Sequence, residues 1–275
     1  MCELFALSSR LPADVNFSFD IFAQHGANGG RTADGWGVAF YDGADVRLYK
    51  EPEPAGRSDW VSFIEQHKQR STLVLSHIRR ATQGAVCLSN TQPFMRELGG
   101  RAHVFAHNGD LAAISQRMAG RWRRFQPIGQ TDSEIAFCIL LEALAPLWAG
   151  HGVPGLAERL SVINTLAAEF RALGPANFIY CDGDALFAHG HRRIQPGGMI
   201  APPGLFWLAR RCGSGDEPGV ASGVRIQPGD AAQELVLLAS VPLTDEAWQP
   251  FSEGELMVIR AGRPPVIPPP SPTQG

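Results

Sequence analysis

A chain of 275 residues, 44% of them hydrophobic, has enough apolar material for one large domain or two small ones. Its formal net charge of −3 argues against a general nucleic-acid binder, and no stretch approaches the ~18 consecutive apolar residues of a membrane span. Five widely spaced cysteines without a C-x-x-C pair argue against a zinc or redox centre, so no metal and no cofactor is expected.

The opening residues Met1 to Arg10 lack the basic-then-apolar pattern of a secretory leader, and a cytoplasmic protein is the expectation. Cys2 directly follows Met1. Removal of that one residue would leave a free α-amine beside a thiol. An α-amine of reference pKa ~7.7–8.0 is partly unprotonated near neutrality and can take the thiol proton, which generates the attacking thiolate.

Alternating or apolar β-rich runs predict strands at Trp36–Tyr41 and Val46–Tyr49. A helix follows from near Ser58, with Trp60, Phe63, Ile64 and His67 on one face. Strands are predicted next at Thr72–His77 and Ala102–His107. Arg117, Arg121, Arg123 and Arg124 then form a basic cluster that suits a solvated or partner-facing surface. Thr131-Asp132-Ser133-Glu134 fits a capping box and opens a helix expected to run to Trp148. Leu156, Leu160, Ile163, Leu166 and Phe170 mark another helix. Asn177–Cys181 and Ala185–His189 read as strands joined by a hairpin turn at Asp182-Gly183-Asp184, and further strands are predicted at Leu205–Leu208, Leu235–Val241 and Glu255–Ile259. From Arg263 the composition becomes proline-rich, as in an extended, disordered tail. Strand runs interrupted by two long central helices indicate an α+β domain rather than a doubly wound one.

Three segments carry candidate chemistry. Arg79, just past a predicted strand, offers a planar fork of donors suited to a carboxylate. Asn108-Gly109 is a turn signal that could also aim a side-chain amide and a backbone N–H at a developing oxyanion. Asp132 in a first helical turn is favoured by the helix dipole and could also grip an ammonium group. Together with Cys2, these residues describe a ligand with an α-amino-acid head and an amide at its far end. Glutamine and γ-glutamyl amides have that form. The spacing of His77, His107, His189 and His191 matches no metal signature, and satisfied strand-end histidines are expected. In Asp34-Gly35-Trp36-Gly37 the glycines are expected to permit close backbone approach beside Cys2, with Trp36 in the core.

The segments Met1-Cys2-Glu3-Leu4, Asp34 to Phe40, His77 to Thr82, Asn90 to Phe94, His107-Asn108-Gly109, Thr131 to Glu134 and Ala239 to Glu246 occur here in one order. In that order the chain resembles the class II glutamine amidotransferases of the N-terminal-nucleophile superfamily, and among them the stand-alone YafJ-like and ergothioneine-pathway amidohydrolase-like type. The resemblance implies a domain over residues 2–262 and a tail over 263–275. It also implies a four-layer αββα sandwich, two antiparallel sheets between helices, with the nucleophile at the start of the first strand. By motif position it makes Cys2 the nucleophile, Asn108 and Gly109 the oxyanion hole, Arg79 the carboxylate ligand and Asp132 the amine ligand, while Thr82 and Gln83 shape the pocket. Arg80 and Gln83 stand where many synthase-linked members have tryptophan and histidine, which leaves the preferred amide open. The expected partner is a small-molecule substrate, with neither nucleic acid nor membrane. Three functions stay open: hydrolysis of a γ-glutamyl amide, ammonia supply to a separate synthase partner, and silent glutamine sensing.

Overall fold

The computed structural model describes residues 2–17, 33–67, 69–81, 84–212, 219–221, 224–227 and 233–263. The proline-rich segment beyond Arg263, and Thr82 and Gln83, therefore lie outside the described residues. In chain order the strands are β1 (Glu3–Phe17), β2 (Gly35–Asp42), β3 (Asp45–Glu51), β4 (Gln69–Arg79), β5 (Phe94–Leu98), β6 (Arg101–Gly109), β7 (Ala176–Cys181), β8 (Leu186–His189), β9 (Arg193–Ile194), β10 (Ile200–Ala201), β11 (Phe206–Cys212), β12 (Gly219–Ala221), β13 (Val224–Gln227), β14 (Gln233–Ala239), β15 (Gln249–Pro250) and β16 (Leu256–Ile259). The α-helices are α1 (Asp59–Gln66), α2 (Ile114–Arg117), α3 (Asp132–Leu144) and α4 (Leu156–Arg171).

A nine-stranded sheet has the main path β15-β11-β14-β1-β4-β2-β3, and a five-stranded sheet runs β16-β8-β7-β6-β5. Neighbouring strands in both are paired antiparallel. Side-chain alternation turns these sheets into layers. In β1, Leu4 and Ala6 join Val104 and Ala106 of β6 and Ile179 of β7 in the core between the sheets. Phe5 and Leu7 face the opposite way, in a second core with Trp36, Val74, and Val61 and Ile64 of α1. A third core lies on the far side of the smaller sheet, where Phe105 and Phe178 meet Phe137 of α3 and Ile163 and Phe170 of α4. The order helix, sheet, sheet, helix is the αββα sandwich that the resemblance implies.

The local signals explain most element boundaries. Ser58 caps α1 by accepting from Val61 N. Its inward residues are Val61 and Ile64, whereas Trp60 is 51% and Phe63 41% exposed. The expected apolar face is thus displaced: Tyr49, Trp60, Phe63 and His67 form a half-open row of aromatic contacts beside the sheet edge. Helix α3 stops at Leu144, short of Trp148, because Pro146 cannot continue the backbone ladder, and a separate 3₁₀ turn holds Leu147–Ala149. In the β7–β8 hairpin Gly183 has φ +79°, and the Asp182 carboxylate accepts from Asp184 N and Ala185 N. The long β1, along with β5, β9, β10, β12, β13 and β15, was not predicted from residue patterns.

Candidate active site

Cys2 precedes β1, a strand hydrogen-bonded to β14 on one side and β4 on the other. Its thiol lies against the turn that leaves β4: Sγ accepts from Arg80 N at 3.2 Å and donates to Arg80 O at 3.4 Å. Burial pushes the Cys2 thiol above its ordinary range, opposed in part by the Arg80 backbone hydrogen bond. An inherently weak acid in such a place needs an adjacent base to become a nucleophile.

A polar cleft of about 430 Å³, including its open mouth, is lined by Cys2, Arg79, Gly109 and Asp132, with Gln92 and His107 in its wall. Four residues singled out from the sequence thus meet across two sheets and a helix. Arg79 ends β4 and is 4% exposed. The turn that follows it is pinned by Asp34, whose Oδ2 accepts from Ala81 N at 2.8 Å, while Asp34 N donates to Arg79 O. Asp132 opens α3 and accepts from Leu111 N and Ser133 N, both at 2.8 Å. It thereby ties the chain after β6 to the helix. Asn108 is not part of the cleft lining, but its Nδ2 donates to the main-chain carbonyl of Cys2 at 2.6 Å. That bond uses one of the two amide hydrogens.

Several contributors were not legible as site residues. Gln92 pairs with β6 as a strand residue would: Oε1 accepts from His107 N at 2.6 Å and Nε2 donates to His107 O at 3.1 Å. Asn90 accepts from Gln130 N and donates to Ala85 O, which joins the loop after β4 to the approach to α3. Asn177 is fully buried and supports Asn108 from behind, donating to Asn108 O and Arg192 O and accepting from His191 N. Asn90 ends a 3₁₀ turn, where asparagine is an ordinary turn residue, Gln92 follows in the loop and Asn177 lies within β7, so nothing local marks these three as parts of a site.

Two expectations need correction. The capping box at α3 is half-formed: Thr131 Oγ1 accepts from Glu134 N, but the Glu134 carboxylate accepts from Ile128 N, Gly129 N and Arg96 instead of reaching back to Thr131. Gly37 gives close approach to the loop at Gln92-Pro93 rather than to Cys2, since a Cβ there would lie 2.4 Å from Gln92 O and 2.9 Å from Pro93 Cδ. Trp36 is fully buried, in line with a core role.

The histidines divide. His107 contacts Ser133 Oγ and Pro175 O, His189 contacts Arg171 and Ala176 O, and His191 accepts from Ala176 N. His77 differs from the expectation, because it is fully buried and neither ring nitrogen has a hydrogen-bond partner. Burial, with His107 and Arg79 nearby, depresses its pKa to about 3, so it stays neutral. Among the described residues no three His, Cys, Asp or Glu side chains gather as metal ligands, and no helix is long and apolar enough to cross a membrane.

The family profile described as class-II glutamine amidotransferases matches residues 1–274. The chain belongs to that family. It is 35% identical over 270 residues to Escherichia coli YafJ, covering 95% of this chain and 98% of the relative. The crystal structure of a predicted glutamine amidotransferase from Pseudomonas aeruginosa superposes with a TM-score of 0.69 at 32% identity, covering 95% of this chain and 98% of that one. The glutamine phosphoribosylpyrophosphate amidotransferase of Bacillus subtilis gives a TM-score of 0.54 at 16% identity, covering 94% of this chain and 47% of that one, which is a likeness of fold. Membership in the class II amidotransferases carries the general activity of the family, hydrolysis or transfer of the glutamine amide, on a small-molecule substrate.

Proposed function

We propose that this class II amidotransferase is a γ-glutamyl amidohydrolase that uses Cys2, freed of Met1, as its nucleophile. The observation that carries the proposal is the convergence of Cys2, Arg79, Gly109 and Asp132 on one cleft, with Asn108 bonded to the Cys2 main chain. Arg79 receives the substrate α-carboxylate and Asp132 the α-ammonium, which places the γ-carbonyl toward Cys2. The α-amine takes the thiol proton and the thiolate adds to the γ-carbon. The oxyanion is held by the second N–H of the Asn108 amide and by Gly109 N. The C–N bond then breaks as the ammonium of Cys2 returns a proton to the departing ammonia or amine, leaving a glutamyl thioester. Water, deprotonated by the same amine, releases glutamate.

The test is glutamate release from glutamine and from a panel of γ-glutamyl amides, comparing mass-verified Met1-free protein with Cys2→Ala. Release that depends on Cys2 and on loss of Met1 is expected, and the fastest substrate identifies the leaving group. Equal release by Cys2→Ala, or by protein that retains Met1, would refute the mechanism.

A further inference from the structure

Glu3 is 1% exposed, and its two carboxylate oxygens have unequal surroundings. Oε1 pairs with Arg193 Nη2 at 3.2 Å, whereas Oε2 is buried and has no hydrogen-bond partner. A buried carboxylate oxygen without a donor is costly, and its persistence calls for an occupant. The frame around it is held from several sides. Arg193 also donates to Ser240 O, Ser240 Oγ accepts from Leu4 N, and Ser240 N donates to Leu4 O. With Asn108 on the Cys2 carbonyl, the residue that bears this carboxylate directly follows the one whose nitrogen becomes the chain start.

We propose that Glu3 is a positioning residue whose free oxygen receives the Cys2 α-ammonium once Met1 has been removed. The inference rests on the reading above, in which that amine is the base. An ammonium formed inside the protein needs an anion. Among the charged side chains that act on Cys2, Glu3 is the anion and Arg79 a cation. Arg79 and Arg80 at the end of β4 and Arg193 on β9 are cations, Asn108 and Ser240 are uncharged, and His77 is neutral. Asp34 accepts from Ala81 N through Oδ2, and Asp110 and Asp132 stand on the cleft wall, where Asp132 is assigned to the substrate ammonium. Burial raises the Glu3 carboxyl above its ordinary value, opposed first by the charge of Arg193, and a second cation would hold it ionised. In the transfer itself the S–H bond of Cys2 breaks as an N–H bond forms at its own amine. Glu3 takes no proton, but favours the ammonium and so offsets the reluctance of a buried thiol to ionise.

The test titrates the amine without relying on catalysis. In Met1-free Cys2→Ala protein, the rate of N-terminal carbamylation by cyanate is followed against pH by mass spectrometry of the N-terminal peptide. A midpoint about one unit or more above the ordinary 7.7–8.0 is expected, returning toward that range in Cys2→Ala/Glu3→Gln. An ordinary or depressed midpoint overturns the proposal, as does one that Glu3→Gln leaves unmoved. Should the double variant fail to fold, the midpoint of the Cys2→Ala protein decides alone. Loss of Cys2-dependent glutamate release would instead strike at the catalytic reading, so the two failures are distinguishable.

Discussion

The side-chain amide of Asn108, at the end of β6 in the smaller sheet, donates to the main-chain carbonyl of Cys2, at the entry to β1 in the larger one. A single hydrogen bond of 2.6 Å therefore joins the two sheets at the cleft. Asn108→Ala removes this tie and, in the proposed mechanism, an oxyanion donor. The expected result is a loss of kcat of about 10²–10³-fold with KM changed much less. Steady-state kinetics with glutamine checks it, and unchanged kcat would contradict the role given to Asn108.

Arg79 acts in the proposed mechanism on a part of the substrate that does not change during the reaction. Arg79→Ala should therefore raise KM with kcat largely kept, since uniform binding is lost. Initial rates over a wide glutamine range separate the two parameters. A fall confined to kcat would move Arg79 from binding to chemistry.

Gly37 lies where the loop at Gln92-Pro93 crosses the sheet, and Gly37→Ala would drive a methyl group into Gln92 O. Overpacking of this kind costs about 1–3 kcal/mol. It should also disturb the two Gln92 bonds to His107 and lower activity. Gly150→Ala, with nothing within 4 Å of the added carbon, is the control expected to stay near wild type. Urea unfolding of both variants makes the comparison.

Burial holds His77 and His189 at pKa values of about 3, and His103 at about 4. In the unfolded chain each returns to ~6.5. Between those limits the unfolded state binds more protons, so stability is fully present above pH ~6.5 and drains away as pH falls toward the folded values. Each such histidine contributes a slope of about 1.4 kcal/mol per pH unit in that window. Urea unfolding at a series of pH values between 7 and 5 should show the decline, and His189→Gln should flatten it. A level profile would mean that these imidazoles titrate normally in the native state.

Residue patterns revealed the sheet interiors because both faces of the central strands are buried, and they revealed α3 by its local N-cap and α4 by its local apolar repeat. They failed at β1, where Glu3, Ser8 and Ser9 interrupt the apolar run; all three are buried, with Glu3 paired to Arg193 and Ser8 accepting from Gly262 N. A buried polar residue whose partner lies 190 or 254 positions away carries no local signature. The same holds at the site: Cys2, Arg79, Asn108 and Asp132 could be singled out by chemical type and by a family motif. Gln92 and Asn177 were missed because their function is to satisfy backbone groups of distant strands.

The placement of β1 between β4 and β14 also sets an order of events during synthesis. The strand behind Cys2 is the first described one to leave the ribosome, yet one of its neighbours, β14, spans Gln233–Ala239, and Ser240 must bond Leu4 across 236 positions. Contacts of such long range close late. The segment behind Cys2 must therefore wait, with one edge unpaired, until nearly all of the described chain has been made, and the cleft cannot mature on a nascent fragment.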